Sequence, residues 1–178
     1  MPAAHWDTIA GWVKYLIEYG EDPANQLCTD DFAGHLENNI NLAIKATVGI
    51  GAYAQLLSES GDKEKGAKYR KIAEEFAREI TAFGEGKTPL PLTWDAGEET
   101  FSLKYNFAFD RVLGLGLFDE KIFAKEIKCY LAKMEKYGTP LDNRKPFGKS
   151  DWLTYVARLT DDIETQKKFI SAMDEFLR

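Results

Sequence analysis

Cysteine, histidine and positive charge are scarce in this chain, and each scarcity argues against a class of function. The 178 residues hold only two cysteines, Cys28 and Cys129, whose separation fits neither a CxxC pair nor a zinc site. They read as two separate thiols. The two histidines, His5 and His35, come without an HExxH, so no metal and no cofactor is expected. The net charge of −6 argues against nucleic acid, whose phosphates need a clustered basic surface, and equally against docking on an anionic membrane. No apolar run approaches the ~20 residues of a spanning helix; the stretch from Ile40 to Leu57 is interrupted by Asn41, Lys45 and Gln55. The opening MPAAHWDTIAGW has no basic segment leading into an apolar one, so no signal peptide is read in the chain. Gly148-Lys149-Ser150 and Gly86-Lys87-Thr88 resemble the end of a P-loop, but Asn143 and Thr81 stand where the earlier glycine belongs. There is no GxSxG elbow.

What is present is a helical pattern. Hydrophobic residues at 44% and charged residues at 29% fit a single domain over residues 1–178. Apolar periodicity predicts helices over about 3–19, 32–59, 62–83, 101–115, 119–136, 151–159 and 162–178. Their character alternates. The first, third, fifth and seventh are two-faced, whereas the second, fourth and sixth are apolar nearly all round, the mark of a buried helix. The connections alternate too, long before each buried helix and short after it. Helical hairpins with an inner buried layer and an outer two-faced layer explain both patterns. The expected fold is therefore all-α, part of an (α/α)6 toroid, since three inner helices are found where a six-hairpin ring needs six. All long connections then lie at one end, where a site is expected. The missing inner helices would leave apolar edges, so self-association is expected.

Three polar segments sit before the three inner helices. In Cys28 to Asn41, Asp30 and Asp31 are candidate general acids or bases, with His35 and Asn38 to hold a polar substrate. In Lys104 to Arg111, Lys104 and Asn106 are candidates to hold substrate, as is Asp142 further on, and Asn106 and Asp110 share a helix face. An acid in an apolar helix is costly unless paired. Asp110 is thus either catalytic or bound structurally to Lys104 or Arg111. In Pro140 to Trp152, Asp142 and Arg144 are placed for a loop ion pair. Arg144 or Lys149 suits a substrate carboxylate, Asp151 a cap or a contact, and Trp152 a sugar-stacking wall or core packing. The expected substrate is small and polar. A glycosidase would use two of Asp30, Asp31, Asp110 and Asp142 flanking one bond.

At these segments the sequence resembles the six-helical-hairpin domain of the glutaminase A family. The carrying residues are LCTDDFAGHL (27–36) with Asn39, Asn41-Leu42 and Ile44-Lys45-Ala46, then KYN with FDRVLGLGLF (104–118), YGTPLDNR (137–144) and KSDW (149–152). The resemblance implies the (α/α)6 toroid, of which this chain is a later portion. It also implies hydrolysis of L-glutamine to glutamate and ammonia, and a larger, multi-domain, secreted or periplasmic parent of bacterial type. Where relatives are expected to carry a second histidine after His35, this chain has Asn38. The alternative function is a glycosidase-like or saccharide-binding module, or a scaffold portion that does no chemistry.

Overall fold

A computed structural model describes residues 5–24, 34–87 and 89–178. Among them run seven α-helices and no strand: α1 (Trp6–Tyr19), α2 (Ile40–Glu59), α3 (Lys63–Phe83), α4 (Phe107–Val112), α5 (Glu120–Ala132), α6 (Ser150–Ala157) and α7 (Ile163–Leu177). The short turns end in aspartate for a local reason. Asp62, Asp119 and Asp162 each accept a backbone N–H of the helix that follows, from Lys65, Lys121 and Thr165. Each so satisfies one of the donors that a helix start leaves orphaned.

The inner and outer order is the one expected, with one correction: α4 is not buried all round, since it buries Phe107, Ala108 and Asp110 but exposes Phe109, Val112 and the following Leu113. α2 touches α4 and α4 touches α6, while α1 and α3 pack on α2 and α7 on α6. α2 buries Ile40, Ile44, Val48, Ile50, Tyr53 and Leu57 on several sides. α3 buries one stripe, Ala73, Phe76, Ala77 and Ile80. The approach of α2 to α3 is close because Gly66 permits it. A Cβ there would collide with Ser58 Oγ and stand 2.9 Å from the Ala54 carbonyl oxygen. By length and composition α2 is apolar enough to cross a membrane, despite Lys45 and Gln55. With 67% of its window buried inside the fold, it behaves as a core helix.

Two expected helices start later than their apolar runs suggest. The second begins at Ile40, because Asn38 takes a left-handed backbone (φ 58) and Asn39 caps the helix by accepting from Leu42 N–H. The fourth begins at Phe107. Residues 101–104 are non-helical and buried, a turn at 105–106 leads into the helix, and Leu103 N–H donates to the Leu141 carbonyl at 2.7 Å. Phe101, Leu103, Tyr105 and Phe107 alternate with Ser102, Lys104 and Asn106, a two-residue period that suits extended chain better than helix.

The long connections meet at one end. Asn39 bridges to Thr93, and Ser102 to Asp142, so the first connection holds the second and the second holds the third. Ile40 N–H donates to the Leu92 carbonyl, Trp94 N–H to the Asn38 carbonyl and Trp94 Nε1–H to the Glu21 carbonyl. At the opposite end Arg111 joins the short turns, donating to the Leu159 carbonyl, Asp161 and Glu120. Arg70 bonds the Leu115 and Gly116 carbonyls.

Candidate functional site

Asp30 and Asp31, the leading candidate acids, lie outside the described residues, as does Cys28. The remaining predicted residues separate into two sets, one folded into the interior and one accessible at the mouth formed by the long connections.

The interior set corrects several expectations. Lys104, expected to hold substrate, is 0% exposed. Its ammonium donates to the Leu90 carbonyl, the Ser102 carbonyl and Ser102 Oγ at 2.8–3.2 Å. Burial pushes its pKa down from 10.5 to about 8, with Glu126 opposing the shift. Glu126 is equally buried. Its carboxylate accepts from Leu90 N–H at 2.6 Å and from the Tyr130 hydroxyl at 2.7 Å. Burial raises the Glu126 pKa, while Lys104 and these hydrogen bonds pull it back. Lys104 N–H donates to the Tyr130 hydroxyl oxygen and Thr139 Oγ1 to the Tyr130 carbonyl. This buried network ties the second and third connections to α5. The buried Lys104 ammonium is accommodated because each of its donors meets an oxygen and the Glu126 carboxyl favours its charged form.

Asn106, also expected to meet substrate, is buried and joins two inner helices. Its side-chain amide donates to the Asn41 carbonyl at 3.0 Å, and its backbone N–H donates to Asn41 Oδ1 at 3.3 Å. Asp110, expected as catalytic, is 2% exposed. Its carboxylate accepts from Leu117 N–H at 3.0 Å and Phe118 N–H at 3.3 Å. It thus closes the short turn at the end away from the mouth. Neither Lys104 nor Arg111 is its hydrogen-bonded partner; backbone donors take that place. Burial raises its pKa against the pull of the two N–H groups. Trp152 is buried and stacked on Tyr105, ring centroids 4.9 Å apart and 5° from parallel, so it packs the wall and offers no open platform to a sugar.

Asp142 is buried too. It accepts from Arg144 N–H, Nε and Nη2 at 2.7–3.1 Å, the loop ion pair expected from the sequence. Asp110 and Asp142 therefore serve different turns, and the two do not form a glycosidase pair across one cleft.

The accessible set contains His35, 4.0 Å from Glu37; Asn38, whose amide donates to Asp22; the outer part of Arg144; Lys149, 4.5 Å over the Trp152 ring; and Asp151, which accepts from Trp152 N–H. Among the described residues no single cavity gathers them. A groove of about 860 Å³ takes Lys149 and Asp151, and one of about 430 Å³ takes Asp142 and Arg144. The candidate site is a polar rim over a buried, hydrogen-bonded floor.

Sequence reasoning missed Ser102, Glu126 and Tyr130. The signal was present. Glu126 falls on the apolar stripe of α5, between Phe123 and Tyr130, where a lone acid needs a buried partner.

The whole chain, residues 1–178, matches the family described as the glutaminase A six helical-hairpin domain. It is 35% identical over 162 residues to glutaminase A of Aspergillus oryzae (strain ATCC 42149 / RIB 40), covering 89% of this chain and 23% of that protein. It is 29% identical over 170 residues to a probable glutaminase of Arthroderma benhamiae (strain ATCC MYA-4681 / CBS 112371), covering 79% and 20%. The chain thus spans about a fifth of the length of these curated relatives. Both are fungal, so they give a bacterial source no support. No solved structure matches the chain.

Proposed function

Because the chain belongs to the glutaminase A six helical-hairpin domain family, we propose that it forms one wall of a hydrolytic site that cleaves the side-chain amide of L-glutamine. The observation that carries this is the meeting of three long connections at one end, with Arg144 and Lys149 accessible on them and rigid groups behind them. In this scheme Asp30 or Asp31 activates water. Arg144 or Lys149 receives the substrate carboxylate, for which a guanidinium or ammonium is the natural partner. The remaining lining comes from the rest of a polypeptide of the relatives' length, exported from the cell.

A second reading, a scaffold portion without chemistry of its own, is favoured by one observation. Both described candidate carboxylates, Asp110 and Asp142, are already committed to structure. Ammonia release from L-glutamine, measured beside a panel of amides and glycosides on the longest form of the polypeptide, separates the two. Turnover of glutamine that falls in Asp31→Asn and Lys149→Met supports the hydrolytic wall. Turnover equal to the unaltered form in both variants supports the scaffold.

A further inference from the structure

Glu126 and Tyr130 stand four residues apart on the inward face of α5. Both are buried, so neither meets a substrate directly. The Tyr130 hydroxyl has one proton to give. It gives it to Glu126 Oε2 at 2.7 Å, since a bond to a carboxylate outweighs the longer one, 3.3 Å, to the Ser102 carbonyl. The hydroxyl oxygen accepts the Lys104 backbone N–H at 2.7 Å. The other oxygen of Glu126 accepts Leu90 N–H at 2.6 Å. With both oxygens engaged the carboxylate keeps one orientation, and so does the hydroxyl bonded to it. Lys104 ends a strip, 101–104, that is joined to the third connection at three successive positions. Phe101 N–H donates to Asn143 Oδ1 at 3.1 Å, Ser102 bridges to Asp142, and Leu103 N–H donates to the Leu141 carbonyl at 2.7 Å. α5 also holds the third connection directly, since Thr139 Oγ1 donates to the Tyr130 carbonyl at 2.8 Å.

We infer that the Tyr130 hydroxyl, held by Glu126, is a positioning group for Arg144: it fixes the strip 101–104, the strip fixes Asp142, and Asp142 aims the guanidinium that receives a substrate carboxylate. The last link is short. Asp142 accepts from Arg144 N–H, Nε and Nη2, and its own side chain is buried while that of Arg144 is 29% exposed. Arg144 is thus anchored along one edge and open to the rim beyond it. Lys149 lies outside this chain of contacts, since it caps the start of α6 and lines a different groove. Burying a carboxylate and a hydroxyl costs free energy that two apolar side chains would not, which suits a pair kept for orientation. The inference rests on the reading of Arg144 as a receiver of the substrate carboxylate, and adds the residues that orient it.

The test is Tyr130→Phe in the longest form of the polypeptide, which removes the hydroxyl and keeps the ring. Glu126→Gln, which keeps the size and removes the charge, serves if the first variant fails to fold. Amide hydrogen exchange read by mass spectrometry should show segments 101–104 and 139–143 exchanging roughly tenfold faster than in the unaltered form, with α2 unchanged. KM for L-glutamine should rise roughly threefold at unchanged kcat per folded molecule. In an Arg144→Met background the same change should leave KM where Arg144→Met puts it, because no guanidinium remains to orient. Unaltered exchange in both segments overturns the inference. So does a rise in KM of equal size with and without Arg144. Faster exchange with KM unmoved, where Arg144→Met does raise KM, overturns it as well. An unaltered KM in Arg144→Met by itself removes the substrate reading of that residue and leaves the link from Tyr130 to its loop to be decided by the exchange rates alone.

Discussion

Replacing Asp110 by alanine separates a structural carboxylate from a catalytic one. The change removes the acceptor of Leu117 and Phe118 N–H, in a turn where Phe118 is buried and packs on Phe107 at 4.8 Å. Hydrogen bonds to a charged group contribute about 1.5–3 kcal/mol each, so the two set a gross loss of roughly 3–6 kcal/mol. Part is returned, because the carboxylate is held at a desolvation cost that its raised pKa records. A net loss of about 2–4 kcal/mol remains, which for a chain of this size lowers Tm by roughly 4–16 °C. Asp110→Asn keeps one acceptor and should lose about half as much. Urea unfolding followed by circular dichroism gives the free energies. Glutamine turnover per folded molecule, in the longest form, should survive in both variants. A stability change under about 0.5 kcal/mol, or lost turnover with unaltered stability, would refute the structural assignment and return Asp110 to the chemistry.

Lys104 gives a pH signature. Its folded pKa, about 8, lies below its ordinary 10.5, so between these values the unfolded chain holds a proton that the folded chain has released. Stability from this group therefore rises with pH across that window. The unaltered chain minus Lys104→Met should show the rise between pH 8 and 9.5, below the range where tyrosines titrate; a flat difference counts against it. In the Asn41–Asn106 link each side chain bonds the other residue's backbone, so each alanine variant removes one hydrogen bond and should cost about 1–3 kcal/mol. A variant costing less than about 0.5 kcal/mol in denaturant titration would show that its bond does not hold the inner helices together. The Cys129 thiol is buried and pushed up to about 11, so in a Cys28→Ser background it should react with a disulfide reagent only as fast as the chain unfolds. Fast labelling of the folded form would place it at the surface.

Much of the architecture was legible because helix character is written in the 3.6-residue period. The stripe Ala73, Phe76, Ala77, Ile80 on α3 and the all-round burial of α2 both follow from spacing alone. The convergence of the long connections followed from that alternation. What was not legible was the start of the inner helices. From Phe101 to Ala108 apolar and polar residues are buried alike, so one continuous buried segment holds both the non-helical approach and the helix that follows. The site was legible as segments but not as orientations. Lys104, Asn106 and Asp110 are polar residues within apolar surroundings, and a sequence does not tell whether such a residue turns to solvent or to backbone. The structure turns all three inward, onto carbonyls and N–H groups that the helix starts and turns leave open. Asp142 and Arg144 were readable as a pair because two residues of loop bring their charges together.

The central claim is that a rigid interior made of Lys104, Asn106 and Asp110 carries an accessible rim on which Arg144 and Lys149 meet a substrate carboxylate. The kinetics of glutamine hydrolysis for Lys149→Met and Arg144→Met, in the longest form and normalised to folded protein, test it most directly. The account predicts a KM raised at least tenfold in one of them, with the melting temperature unchanged in Lys149→Met and lowered in Arg144→Met, which leaves the buried Asp142 without its ion pair, and KM unchanged in Asp110→Asn. Unchanged KM in both rim variants, with KM raised in the folded Asp110 variant, would contradict it.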